Sequence, residues 1–132
     1  MIEFIGGFMK NLWTTIQVKN MEESIGFYTT VLDLVIDSKF SPMSGLEITF
    51  LGDGETKLEL IYNTKNSNVS HGNSVSTGFL VDSVDEYISK LKEQGIKITE
   101  GPFAPNPSIK YFFIEDPNGY RIQLVEQRYN PE

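Results

Sequence analysis

The 132-residue chain is one domain's length, enough to bury roughly two-thirds of the surface that its unfolded form exposes. Eighteen acidic against eleven basic side chains leave a net charge of −7, which repels a nucleic-acid backbone, and no basic run overrides it. There is no cysteine, so disulfides, thiolate metal sites and cysteine nucleophiles are excluded.

The opening residues 1–9 carry Glu3 and lack a basic leader, which reads as neither a signal peptide nor a membrane span. With the absence of cysteine, this predicts a cytoplasmic protein without membrane attachment. Asn68-Val69-Ser70 matches a glycosylation acceptor, but in that compartment it is a chance match.

In chain order, residues 12–18 alternate as a strand does. Asn20 then caps a helix whose apolar positions Ile25, Tyr28, Val31 and Leu32 recur at helical spacing, with Glu23 three residues after the cap. Strand patterns follow at 35–40, 46–51 and 56–62, the last two joined by the tight turn Gly52-Asp53-Gly54. A polar stretch rich in Asn and Ser, 63–73, reads as a linker. The pattern then restarts with a strand at 77–81 and a helix capped by Ser83. Its stripe is Val84, Tyr87, Ile88 and Leu91, and Gly95 stops it. Strands are expected at 96–99, 110–115 and 120–126, the last pair joined by Asp116-Pro117-Asn118-Gly119.

The two caps lie 63 residues apart, and each half reads strand, helix, three strands. The expected class is α+β: tandem βαβββ modules forming a cupped eight-strand mixed sheet with helices outside. Residues 1–11 are an N-terminal extension and 12–132 a single domain, with module one at 12–63, a linker at 64–75 and module two at 76–127. A lone four-stranded half would leave one sheet face uncovered, hence the expectation that two act together.

Period-two alternation assigns the faces. Ile16 and Val18, Leu58 and Leu60, Phe79 and Val81, and Ile122 and Leu124 should face the helices. The opposite parity should line the cup: Trp13, Thr15 and Gln17; Lys57, Glu59 and Ile61; Ser76, Gly78 and Leu80; Arg121, Gln123 and Val125. A concave, half-polar surface suits a small ligand. Tyr111 and Phe112 lie on opposite faces, so one of them should line it. The segment Gly101-Pro102-Phe103-Ala104-Pro105-Asn106-Pro107-Ser108 is expected to be a rigid rim connector, with a lid as the other reading.

Trp13-Thr14-Thr15-Ile16-Gln17-Val18 with Met21-Glu22-Glu23-Ser24-Ile25-Gly26-Phe27-Tyr28, and the later Glu115-Asp116-Pro117-Asn118-Gly119-Tyr120-Arg121-Ile122-Gln123-Leu124-Val125-Glu126, resemble the opening and closing segments of the glyoxalase/bleomycin-resistance/dioxygenase (vicinal oxygen chelate) superfamily. The resemblance spans about 12–127. It implies paired βαβββ modules, usually homodimeric, whose enzymes hold a divalent metal in the cup. It places the four metal-ligand positions at Trp13, Glu59, Ser76 and Gln123, where the usual types are His, Glu, His and Glu. Only Glu59 is a strong donor here, so the metal site is expected to be lost and no cofactor is expected. His71, the single histidine, reads as an exposed linker residue; a register shift would be needed to bring it to the cup.

Glu59 has two readings: a general base, as that position serves in the glyoxalase enzymes, or an ion pair with Lys57 or Arg121. Trp13 either stacks on a flat ligand or fills the vacated metal cavity. Arg121 either clamps an acidic group or reaches solvent. The function expected first is metal-free binding of a small, partly planar acidic molecule by Trp13, Gln17, Ser76, Arg121 and Gln123. The alternative is a lactoylglutathione-lyase-like enzyme with Glu59 catalytic, and a purely structural role comes third.

Overall fold

The computed structural model describes residues 9–66 and 68–128; the expected extension before residue 9 and the tail beyond 128 lie outside the described residues. In chain order the elements are β1 (Trp13–Gln17), α1 (Met21–Thr30), β2 (Ile36–Met43), β3 (Leu46–Leu51), β4 (Lys57–Asn63), β5 (Ser76–Leu80), α2 (Val84–Glu93), β6 (Glu100–Asn106), β7 (Ile109–Glu115) and β8 (Arg121–Gln127). They fall into two units, Met1–Val69 and Ser70–Glu132. Each carries one four-stranded mixed sheet, ordered β1-β4-β3-β2 in the first and β5-β8-β7-β6 in the second. The α+β class and the βαβββ order of each half are therefore as expected.

In both units the first strand pairs in parallel with the fourth, and the remaining neighbours are antiparallel. A parallel pair needs a crossover, and here the helix and two strands supply it. Trp13 stands opposite Lys57 and Thr15 opposite Glu59 in the first sheet; Ser76 stands opposite Arg121 and Gly78 opposite Gln123 in the second.

Each helix covers one face of its own sheet. Below α1, Ile16, Val18, Leu51, Leu58 and Leu60 are buried together with Met21, Tyr28, Val31 and Leu32. Below α2 the buried set is Val84, Leu91, Phe112, Ile114, Ile122 and Leu124. Fully burying one such side chain stabilises by about 1.5–3 kcal/mol, so these two stripes hold each half together. In the first helix the buried face begins at Met21 and Ser24, while Ile25 is only half-buried. Phe79 and Val81 are also only half-buried, unlike Ile16 and Val18 at the matching places of the first unit.

Both helix starts are capped as the sequence implies. The Asn20 side chain accepts from the Glu23 amide at 2.9 Å and the Ser83 hydroxyl from the Glu86 amide at 3.2 Å, each satisfying an otherwise orphaned donor. In the second unit the Glu126 carboxylate also accepts from the Val84 amide at 2.8 Å, tying β8 to the start of α2.

One strand differs from expectation. Residues 96–99 are irregular, and the Pro-rich run expected as a loop forms the edge strand β6 instead. Proline removes a ladder donor, and an edge tolerates that loss because one side of the strand needs no partner. The pairing is correspondingly sparse: Glu100 opposes Phe113, Phe103 opposes Tyr111 and Asn106 opposes Ile109, with a register shift in each interval. Gly101 sits at φ 91°, and a Cβ there would lie 3.2 Å from the Phe112 Cα, so this close crossing requires glycine. Neither a lid nor a loop connector describes this segment.

Truncating the buried stripe should be costly and the open edge cheap. Leu60→Ala and Leu124→Ala are each expected to lower unfolding stability by about 2–5 kcal/mol, whereas Ala104→Ser on β6 should stay within about 0.5 kcal/mol. Urea denaturation of the three variants against the parent checks this.

Candidate functional site

Once the helix-facing parity is sealed, the other parity of each sheet presents the chemistry. On the first sheet Trp13, Thr15 and Gln17 are exposed and alternate with the buried Ile16. Trp13 is 46% exposed and meets the Phe50 ring edge to face, with centroids 5.1 Å apart. Phe50 in turn stacks at 6.5 Å on Phe40 from the outer strand β2. Trp13 thus belongs to an aromatic row running across the sheet from β1 to β2. The Gln17 Oε1 accepts from the side-chain Nδ2 of Asn66 at 3.1 Å.

Glu59 occupies the centre of this face and is only 9% exposed. Its carboxylate accepts a hydrogen bond from the hydroxyl of Thr15, its cross-strand neighbour. The expected ion pair with Lys57 or Arg121 is not how these charges are arranged. Lys57 pairs with Asp37 at 3.6 Å and Arg121 with Glu100 at 2.9 Å. The physical reason is reach: each cation finds a carboxylate on an outer strand of its own sheet, and the short Thr15 side chain lies directly opposite Glu59.

On the second sheet Ser76 is exposed at the start of β5, and Arg121 and Gln123 are half-buried on β8. Gln123 stands opposite Gly78, where a Cβ would be 3.5 Å from the Gln123 Oε1, so the missing side chain leaves room for that amide. Arg121 does not simply reach solvent: its guanidinium lies 4.3 Å over the Phe113 ring while bonded to Glu100. Tyr111 is the aromatic that faces this open side. It meets Phe103 at 5.4 Å and Phe113 at 5.9 Å, whereas Phe112 is fully buried beneath α2.

Next to Arg121 lies an open depression of about 670 Å³, lined by His71, Gly72, Asn73, Glu100, Glu115, Gly119 and Arg121. His71 is exposed but not idle. Its ring stacks on Tyr120 at 4.1 Å, and its two nitrogens lie 2.9 Å from the carbonyl oxygens of Gly72 and Asn118. Sequence reasoning missed this attachment, and it missed the roles of Phe40, Phe50 and Glu100. Phe50 was detectable, since it shares parity with Ile48 in an alternating strand; Glu100 was not, because its strand is proline-interrupted.

Three comparisons bear on what these faces are for. The sequence profile of the Glyoxalase/Bleomycin resistance protein/Dioxygenase superfamily matches residues 11–124, and the chain belongs to that superfamily. The lactoylglutathione lyase of Salmonella typhimurium is 30% identical over 128 residues, covering 91% of this chain and 94% of the relative. Among solved structures, the trypanothione-dependent glyoxalase I of Leishmania major superposes with a TM-score of 0.77 at 27% identity, over 89% of this chain and 86% of that one. An antibiotic-binding protein from a Streptomyces species shares the fold, with a TM-score of 0.73 at 19% identity over 91% and 97% of the two chains.

The superfamily's enzymes imply a divalent metal, and the residues at the four positions that the resemblance assigns to its ligands do not fit one. Trp13 has no lone pair to give, Ser76 offers a neutral hydroxyl, Gln123 a weak carbonyl oxygen, and the Glu59 carboxylate is already an acceptor for Thr15. Among the described residues no group of three or more His, Asp or Glu side chains could hold a metal ion.

The pairing of Arg121 is partly exposed, with side-chain exposures of 27% and 52% for Arg121 and Glu100. Glu100→Gln should therefore cost no more than about 1 kcal/mol in thermal or urea unfolding. A larger loss would mean that the ion pair, rather than the β7 ladder, holds β6 in place.

Proposed function

We propose that the chain is a small-molecule binding protein of the superfamily, taking a partly planar molecule with an acidic group and using no transition metal. The observation that carries this reading is the row Trp13, Phe50 and Phe40. A half-exposed tryptophan braced edge-on by a second ring is a stacking platform rather than a plug, since a cavity filler would be buried. Gln17, Ser76 and Gln123 supply neutral hydrogen-bonding groups of the same parity on their respective sheets. Arg121 supplies the cation: its contact with Glu100 uses one of five guanidinium donors, and the fork can take a carboxylate or phosphate in its place. In the same reading the protein is a cytoplasmic homodimer, in keeping with its cysteine-free sequence and the family's usual assembly.

A stacked ring contributes about 0.5–1.5 kcal/mol beyond its buried area, so Trp13→Ala should weaken a ligand about 2- to 10-fold. Arg121→Ala should weaken acidic ligands and leave neutral ones unchanged. Thermal-shift screening finds the ligand, because one present at a hundred times its dissociation constant stabilises by roughly 2.7 kcal/mol. Trp13 is the single tryptophan, so quenching of its emission reports on this face. A confirmed ligand that leaves the emission unchanged and binds both variants normally would overturn the proposal.

The second reading is a lyase of glyoxalase type, favoured by the 30% identity to the Salmonella typhimurium enzyme. There Glu59 would be the general base, its carboxylate oriented by Thr15 so that one oxygen lifts a proton from carbon next to a substrate carbonyl. Fold likeness does not choose between the two, because the same fold serves lyases and an antibiotic-binding protein. Two measurements do. Protein purified without a chelator or a histidine tag is expected to contain no stoichiometric zinc, nickel, iron or manganese. Lactoylglutathione turnover is expected to be absent in the parent; turnover abolished by Glu59→Gln would establish the lyase reading instead.

A further inference from the structure

We infer that His71, in its doubly protonated form, latches residues 71–73 onto the β7–β8 turn, so that loss of one proton loosens this strap at the rim of the Arg121 depression. This rests on geometry within the second unit and goes beyond the ligand-binding reading, which could fail without affecting it.

Both ring nitrogens face oxygen acceptors. The Nδ1 lies 2.9 Å from the Gly72 carbonyl and the Nε2 2.9 Å from the Asn118 carbonyl. A carbonyl can only accept, so both contacts are hydrogen bonds only when both nitrogens carry a proton. A neutral imidazole has one N–H and one lone pair, and that lone pair would point at a carbonyl oxygen. The neutral form therefore satisfies one contact and turns the other into repulsion.

The turn that receives the latch is itself rigid. The Asp116 carboxylate accepts from the amides of Asn118 at 2.8 Å and Tyr120 at 2.9 Å, and the Gly119 amide donates to the Asp116 carbonyl at 3.0 Å. The Asn118 carbonyl is thus held in place for His71. Beneath the ring Tyr120 stacks at 4.1 Å, and Gly119, at φ 91°, is where a Cβ would lie 3.5 Å from the Nε2. On the other side the strap's His71, Gly72 and Asn73 form part of the depression with Glu100, Glu115 and Arg121.

Two carboxylates facing His71 reinforce the cation, Glu115 at the end of β7 and Asp116 in the turn; beyond them Glu100 on β6 is paired with Arg121, whose own positive charge opposes it, and Tyr120 contributes a ring face. The Asn118 carbonyl, then the Gly72 carbonyl, raises the His71 pKa above its ordinary 6.5; desolvation works against them, and Asp116 and Glu115 add lesser upward contributions. Because the folded value is the higher one, the latch is at full strength below about 6.5, the unfolded value. It weakens as pH rises through the raised folded value.

The test is a proton NMR titration of the full chain, in which the Cε1–H signal is unambiguous because the chain has one histidine. Its midpoint should lie above that of an unstructured peptide spanning residues 68–76. The amide signals of Gly72, Asn73 and Gly119 should shift with the same midpoint, while those of β3 and β4 stay fixed. In His71→Gln, whose amide nitrogen can still donate but does not titrate, the common transition should vanish with the circular dichroism unchanged. A midpoint at or below the peptide's, or strap amides that do not follow it, would overturn the latch. These two readouts come from the parent protein, so the outcome stands even if the variant fails to fold.

Discussion

The parallel register between the first and fourth strands of each sheet is the constraint on which the rest depends. Trp13 opposite Lys57 and Ser76 opposite Arg121 fix which side chains share a face across the sheet. A slip of one residue would turn Leu58 and Leu60, or Ile122 and Leu124, out of their buried positions and drive Glu59 or Gln123 under a helix. Neither exchange is tolerable, since it would strand apolar area in water and a polar group in the core. The open faces are therefore set by what the helices bury.

With the register set, the character of each open face follows from its neighbours. In the first unit the aromatic row is held together by ring contacts from three strands, and the one carboxylate in its midst is oriented by a hydroxyl rather than by a cation. In the second, the cation is already shared between a carboxylate and a ring face. The first face thus offers an apolar ring surface and the second a partly exposed ion pair. They disfavour a transition metal, which needs several strong donors converging without competing partners.

The irregular parts of the second unit show how little backbone pairing an edge requires. β6 keeps a place in the sheet with three paired positions and two prolines, because Phe103 rests on Tyr111 and Gly101 lets the chain pass close to Phe112. His71 does a comparable service for the segment before β5, substituting one ring with two carbonyl contacts for a run of ladder bonds.

Much of this was legible in the residues alone. The alternation in 12–18, 56–62 and 120–126, the caps Asn20 and Ser83, and the turn Asp116-Pro117-Asn118-Gly119 are local signals, and local signals carry both the βαβββ order and the parity that puts Trp13, Glu59, Arg121 and Gln123 on the faces away from the helices. The partners of those side chains were not legible. That Glu59 takes Thr15, that Arg121 takes Glu100 and Phe113, and that His71 reaches Asn118 47 residues away all depend on strands brought together by register. The proline-interrupted strand was invisible for the same reason: no residue within it prefers the extended ladder strongly enough to announce it. Its place is decided by Phe113, Tyr111 and Phe112, side chains that only the folded sheet puts beside it.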